Sequence, residues 1–547
     1  MRVLVVGAVL VVLWIAILRA AGSAKAANVA PYAVAEKSVA ELHADLVAGR
    51  VTSEQLVRAY RARIEAFDVS GPALHSVIAL NPNALAEARA ADTGRRAAKA
   101  TGLLYGIPIL VKDNVETADG TATTAGSAAL AANVTNRDAP VVRRLRDAGA
   151  IVLGKTNLSE WANIRSSHSI SGWSALGGLV KNPNALDRTP SGSSSGTAAA
   201  IAASFAAAGV GTETDGSVVS PSSVNGLVGL KPTVGLVSRT HIVPISHSQD
   251  TPGPMGRSVA DVAALLTAMA GTDPADAATR DADERKIDYA AALNGATLRG
   301  KRLGVLRFAT GALPAVDALF DAALAVLKAH GAEIVELKDY KPPTTLGDAE
   351  LTVLLTELKA DLNTYLASTP ATVASRTLAD VIAFNRGDPR ELSLFDQDLF
   401  DQAQATKGLD DPAYVSARET SKREAGRDGI DKLILENRLD ALIAPSDGPA
   451  SRVDVVTGDH LSGVASQLPA IAGDPHLTVP MGYVNGLPVG LSFIGRAWTE
   501  AQLLSLGAAF ERATHHRHAP TFAASIENTP GIIRLLAPLR TRSPSGK

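Results

Sequence analysis

The stretch from Thr189 to Pro221 constrains this chain more than any other part of it. It opens with Pro190-Ser191-Gly192-Ser193-Ser194-Ser195-Gly196-Thr197 and continues through an alanine-rich run to Ala208. It closes with Gly209-Val210-Gly211 and the loop Thr212-Glu213-Thr214-Asp215-Gly216-Ser217. Alanine is the strongest helix former, so the run to Ala208 predicts a helix, and its side chains are too small for a surface stripe. Gly/Ser sequence alone reads as a flexible linker, but patterned sequence flanks this stretch on both sides. The expectation is two tight loops held at the ends of one buried helix, with glycines that let the backbone approach a ligand closely.

Around it, apolar periodicity alternates between two types. Thr52-Ser53-Glu54-Gln55 has the form of a helix capping box, and Leu56, Tyr60, Ile64 and Phe67 follow at helical spacing until Gly71-Pro72. Ile107 to Val111 and Ile151 to Leu153 are short apolar runs that predict strands, with a helix predicted over Pro140 to Ala148 between them. Arg302 to Leu306, Ala441 to Pro445, Leu477 to Pro480 and Leu487 to Phe493 read as further strands, and Leu351 to Leu366 as a helix. Strands alternating with helices argue for an α/β layered fold. The charged, helical region near Asp276 to Glu436 reads as an elaboration packed on that core.

The chemistry is narrowed by what the chain lacks. It has no cysteine, so disulfides, thiolate-ligated zinc and a thiol nucleophile are excluded. The net charge is −2 and no long Lys/Arg run occurs, which argues against a nucleic-acid partner. With no metal-ligating cluster evident, no metal or organic cofactor is expected, and serine chemistry is the natural search. A serine nucleophile needs a base for its proton and donors for the oxyanion.

Gly192-Ser193-Ser194-Ser195-Gly196 matches the G-x-S-x-G nucleophile elbow, and Asp447 and His476 follow in the order of a Ser-Asp-His triad. The elbow requires a strand immediately before the serine. Asn182 to Pro190, with its prolines and asparagines, does not supply one. His476 reads as a core or loop histidine, His515-His516 as surface, and His168 as a further noncatalytic histidine.

A second arrangement rests on several motifs in order. Ser191-Gly192-Ser193-Ser194-Ser195-Gly196 is followed by Glu213-Thr214-Asp215-Gly216-Ser217, Pro221-Ser222 and Gly229-Leu230-Lys231-Pro232-Thr233. Upstream stands Gly106-Ile107-Pro108-Ile109-Leu110-Val111-Lys112-Asp113-Asn114. Downstream are Gln249-Asp250-Thr251-Pro252-Gly253-Pro254-Met255 and the segment Gly486 to Gly495. Together these resemble the amidase-signature family over roughly residues 35 to 520, a strong signal because the motifs are long and ordered. Glu160-Trp161-Ala162-Asn163 and Ser169 to Ser174 resemble the branch that contains bacterial peptide amidase.

The resemblance implies a single large α/β domain, a mixed twisted sheet covered by helices on both faces. It implies Ser217 as nucleophile, Ser193 as a relay preceded by a cis peptide bond, and Lys112 as base. It further implies an oxyanion hole from the backbone N–H groups of Thr214, Asp215, Gly216 and Ser217. The expected reaction is hydrolysis of a carboxamide to carboxylate and ammonia through an acyl-enzyme, on C-terminal peptide amides or another small amide. The physics is consistent: a free lysine has a pKa near 10.4, and burial at the end of an apolar strand lowers it by about 3 units. Asp215 and Ser195 stand where the family usually has glycine. Asp215 has two open readings, disfavouring an anionic product or a structural hydrogen bond.

Met1-Arg2, the apolar run Val3 to Leu18 and the A-x-A site Ala24-Lys25-Ala26 read as a secretory signal peptide over residues 1–26, or an uncleaved anchor. That predicts an exported protein, periplasmic or secreted, which meets a membrane only if the segment stays attached. The domain is expected over 35–520 and a disordered tail over 540–547. Two other functions stay open. An amidotransferase component of the A type is disfavoured by the export signal. A noncatalytic binding protein on this fold is disfavoured by the intact Lys112, Ser193 and Ser217.

Overall fold

Every apolar run named above as a strand lies in one sheet of the computed structural model, which describes residues 32–97, 102–460 and 465–538. The signal segment over 1–26 and the tail over 540–547 lie outside the described residues. Thirteen strands are present among the described residues: β1 (Val77–Leu80), β2 (Pro108–Lys112), β3 (Ile151–Thr156), β4 (Trp173–Ser174), β5 (Gly178–Leu179), β6 (Ala208–Glu213), β7 (Val228–Lys231), β8 (Thr251–Gly256), β9 (Arg302–Val305), β10 (Glu333–Glu336), β11 (Ala441–Pro445), β12 (His476–Val484) and β13 (Leu487–Ile494). Eleven form one sheet in the order β1-β3-β2-β6-β8-β7-β12-β13-β11-β9-β10, while β4 and β5 pair with each other.

The sheet is mixed. β2 runs parallel to β3 and β6, and β9 runs parallel to β10 and β11. The pairs from β6 through β13 to β11 are antiparallel. Alternate side chains of a strand point to opposite faces. Every residue of β2, β3, β6, β7, β8, β11 and β13 is buried, so the centre of the sheet is covered on both faces. Helices Val259–Met269 and Glu500–Thr514 supply cover over β8 and β12. The capping box at Thr52 forms as read, with the Gln55 N–H donating to Thr52 Oγ1 at 3.1 Å and the Thr52 N–H to Gln55 Oε1 at 2.9 Å.

The alanine-rich run corrects one expectation. Its helix spans Ser195–Ala202 and stops six residues short of Ala208, which instead begins β6. Ladder bonds explain the switch: Ala208 pairs with Ile109 of β2, and Gly209 pairs with Met255 of β8. Pairing on both edges of a central strand outweighs alanine's helix preference.

The middle region packs its helices Leu346–Ala367, Leu378–Gly387 and Asp398–Ala405 into a second apolar cluster. Leu362, Leu366, Val381 and Phe400 meet Trp161 and Leu130 there. A fully buried ion cluster adds to this junction. Arg165 Nη1 lies 3.0 Å from Glu160 Oε1 and 3.4 Å from Glu391 Oε2. Its guanidinium carbon also sits 4.2 Å from the centre of the Phe395 ring. Removing one member strands buried charge, so Arg165→Ala is expected to lower stability by about 3–5 kcal/mol, read as a shift in the urea unfolding midpoint.

Candidate active site

Lys112 is the last residue of β2, and the strands on either side of it leave its amine no access to solvent. Its Nζ lies 2.7 Å from Ser193 Oγ, and it donates to Thr212 Oγ1 at 2.9 Å and Thr212 O at 3.2 Å. Asn114 Nδ2 donates to the same Thr212 hydroxyl at 2.9 Å. Burial pushes the Lys112 amine down to about 7, while the more remote charges of Asp250 and Glu213 act in the opposite direction.

Two other lysines are equally buried and have different surroundings. Lys155 is ion-paired with Asp113 at 3.1 Å. Burial pushes the Lys231 amine down as well, opposed by the charges of Glu213, Asp474, Glu500 and Asp215, and this amine donates to the Pro232 carbonyl at 3.2 Å. Lys112 differs in that its amine reaches the Ser193 hydroxyl, the other oxygens at hydrogen-bond distance being the hydroxyl and carbonyl of Thr212. That environment favours an amine able to lose its proton near neutral pH.

The Gly192–Ser193 peptide bond is cis, as the resemblance implied. The loop it belongs to is tied down on both sides. The Ser159 N–H donates to Ser193 O at 3.1 Å, and the Ser194 N–H donates to Ser217 O at 3.2 Å. The second bond stitches the two Gly/Ser loops together. Glycine is required at 196 because a Cβ there would lie 2.3 Å from Asn157 O and 2.4 Å from Ser76 O, both backbone atoms.

Ser217 keeps 9% of its surface accessible, whereas Lys112 and Ser193 have none. An attacking group must reach substrate, and a base or relay need not. The helix after Ser217, Val219–Val224, is started by a buried carboxylate: Glu213 Oε2 accepts from Val218 N at 2.7 Å and Val219 N at 3.0 Å. Between these anchors the chain turns at Gly216, whose φ of 78° is left-handed. Among the described residues, the N–H groups of Thr214, Asp215, Gly216 and Ser217 are not spent on hydrogen bonds within the chain. Four adjacent donors with no such partner thus lie beside Ser217, an arrangement that suits developing negative charge.

The elbow reading fails in the structure. Ser194 Oγ donates to Thr212 O at 3.1 Å and accepts from Thr212 N at 3.2 Å, which fastens it to β6. The Asp447 carboxylate accepts from Ser220 Oγ. His476 Nε2 lies 2.6 Å from Ser492 Oγ in β13, and burial with help from Lys231 pushes its pKa down to about 3. The three residues have three separate partners and do not assemble. His515 and His168 are exposed, whereas His516 is partly buried against Phe510.

Residue patterns gave no role to Asn114, Thr212, Gln249 or Asp250, although all four stood inside stretches quoted above. Thr214 Oγ1 donates to Asp250 Oδ1 at 2.6 Å, and Gln249 Nε2 donates to Thr214 O at 3.3 Å. Asp215 is half-buried, burial raises its pKa, and its Oδ1 has no hydrogen-bond partner among the described residues. Beside the loops lies a cavity of about 380 Å³, bordered by Asn114, Thr212, Thr214 and Asp250 with Ile242 and Ile245 as apolar wall.

Known proteins resemble this chain in sequence and in fold. A family model described as Amidase matches residues 55–504. A probable amidase of Arabidopsis thaliana is 39% identical over 528 residues, 94% of this chain and 98% of that protein. The A component of the glutamyl-tRNA(Gln) amidotransferase of Halorhodospira halophila is 36% identical over 517 residues, 89% of this chain and 99% of that one. The crystal structure of native peptide amidase from Stenotrophomonas maltophilia superposes with a TM-score of 0.85 at 49% identity, covering 90% of this chain and all of that one. A peptide amidase of the same likeness has also been solved with the competitive inhibitor chymostatin.

Proposed function

This chain belongs to the amidase family and hydrolyses carboxamide C–N bonds, and from that premise we propose that Ser217 is its nucleophile, Ser193 its relay and Lys112 its base. The observation that carries the assignment is the buried Lys112 amine 2.7 Å from Ser193 Oγ. A neutral amine has two N–H donors and one lone pair. The donors go to Thr212 O and Oγ1, and the lone pair accepts the Ser193 hydroxyl proton.

Ser193 then takes the Ser217 proton as Ser217 Oγ attacks the amide carbon. The carbonyl oxygen becomes an oxyanion facing the N–H groups of Thr214, Asp215, Gly216 and Ser217, where each good donor contributes roughly 3–4 kcal/mol to the transition state. Collapse breaks the C–N bond while the proton returns from Lys112 through Ser193 to nitrogen. Ammonia leaves, and water hydrolyses the Ser217 ester by the same relay. The sum is carboxamide plus water giving carboxylate plus ammonia. Treating folded protein with a fluorophosphonate and mapping the adduct tests the assignment; an unlabelled Ser217 in active protein would overturn it.

For substrate, we infer the terminal carboxamide of a peptide. Support comes from the likeness to peptide amidase across 90% of this chain and from the matching Glu160-Trp161-Ala162-Asn163 segment. Ammonia release from amidated peptides should exceed that from simple aliphatic and aryl amides; the reverse ranking overturns this reading. The similarity to the amidotransferase A component favours one alternative, glutamine as amide donor, and ammonia release from free glutamine tests it. We also infer export, supported by the pattern over residues 1–26; recovery of the mature protein in the cytoplasm with Met1 intact would contradict it. No helix among the described residues is long and apolar enough to cross a membrane. If the Asp215 carboxylate repels anionic product, Asp215→Asn is expected to strengthen product inhibition several-fold, measured as a lower inhibition constant for the peptide acid; an unchanged constant leaves Asp215 a structural role.

A further inference from the structure

We propose that Asp250 is a positioning residue that couples the two halves of the catalytic machinery: it fixes Thr214, at the head of the oxyanion loop, and it sets the electrostatic environment of Lys112. The inference rests on the assignment of Lys112, Ser193 and Ser217 made above.

Asp250 stands just before β8, and both its oxygens are committed. Oδ1 accepts from Thr214 Oγ1 at 2.6 Å. Oδ2 accepts from the N–H groups of Ile245 at 2.8 Å and Ser246 at 2.9 Å. The carboxylate therefore clamps the loop over 245–250 to the loop that offers the oxyanion donors. The neighbouring Gln249 reinforces the clamp. Its amide donates to Thr214 O at 3.3 Å and to Glu350 Oε1 at 2.9 Å, and Glu350 Oε2 accepts from Gln467 Nε2 at 3.0 Å. Thr214 is thus held through both its hydroxyl and its carbonyl, which leaves its N–H direction fixed before substrate arrives. Pre-aimed donors cost no reorganisation during reaction.

The second output is electrical. Asp250 and Glu213 are the carboxylates whose charges act on Lys112, with Asp250 the larger influence. Glu213 is committed to starting the helix after Ser217. The other charged groups around Asp250 are paired with one another: Arg239 with Asp276 at 2.5 Å, and His247 with Asp361 at 2.9 Å and Glu357 at 3.2 Å. Burial raises the Asp250 pKa to about 6, and above that pH its charge opposes the burial that drives the Lys112 proton away.

Two variants separate the outputs. Asp250→Asn removes the charge, which disfavours protonated Lys112 further. The acid limb of the pH profile for Ser217 phosphonylation by a fluorophosphonate should then move to lower pH by about 1 unit. Thr214→Val removes the tether together with the hydroxyl bond that favours the charged carboxylate, so it is read on the plateau above the acid limb, where Asp250 stays ionised. There it should lower kcat about tenfold with little change in KM, and Thr214→Ser, which restores the hydroxyl, should recover the rate. An acid limb that stays put in Asp250→Asn overturns the electrostatic output. An unchanged kcat in Thr214→Val, or a loss that Thr214→Ser does not recover, overturns the tether. Failure of the underlying triad reads differently, as wild-type protein that turns over amide without labelling at Ser217.

Discussion

Replacing Ser217 with alanine is expected to lower kcat/KM by roughly 10⁴- to 10⁶-fold, the loss seen when the nucleophile of a hydroxyl-activating unit is removed. The variant should still bind substrate, because the oxyanion donors and the cavity remain. Ser194→Ala is the informative control, since Ser194 is the serine at the centre of the G-x-S-x-G match. Its hydroxyl is spent on the N–H and carbonyl of Thr212. Removing it is expected to cost about 1 kcal/mol of stability and to leave most of the turnover. Ammonia release measured for both variants alongside wild type decides between them. If Ser194→Ala were the dead enzyme and Ser217→Ala the active one, the elbow reading would be restored.

Lys112→Met is expected to lower kcat by about 10³-fold at pH 7, within the range that a general base contributes. Methionine keeps most of the buried stem volume and removes the amine, both the proton acceptor and the donors to Thr212. The pH dependence carries a second, independent signature. Burial holds the Lys112 amine down to about 7, so in wild type the base is protonated and idle below that pH. The rate should rise as pH passes through 7 and level off above it. In Lys112→Met that limb should vanish from the residual activity. A limb that persists near 7 in the variant would assign the titration to another group. The urea midpoint of the variant separates lost chemistry from lost folding.

These expectations could not have been ranked from any single residue. Taken alone, a lysine at a strand end is better read as solvated, and two serines in Gly-rich turns as turn formers. What made them legible was order: a lysine strand, two Gly/Ser loops and four downstream motifs in sequence. The helix at Ser53–Ile64 was legible for a different reason. Its cap and its apolar spacing are encoded within four residues of one another, so the chain displays them locally. β8 shows the opposite case. Thr251–Gly256 carries Pro252 and Pro254 and two glycines, a composition that argues against a central strand. It nonetheless lies between β6 and β7, paired with both.

By itself, then, the sequence determined the class of chemistry. It excluded thiol and disulfide chemistry outright, placed the candidate serines in two Gly/Ser loops flanking one small-sided segment, and supplied the ordered motifs. The tertiary structure decided which serine hydroxyl is spent on the backbone and how deeply the lysine amine is buried. Both answers depend on contacts between residues far apart in the chain. Lys112 meets Ser193 across 81 positions and Thr212 across 100. Local pattern is set by neighbours three or four residues away, whereas the state of a proton is set by whatever the fold packs around it. Burial between β3 and β6 pushes the Lys112 amine down to about 7, and the bonds to Thr212 hold Ser194 in place while Ser217 keeps part of its surface accessible.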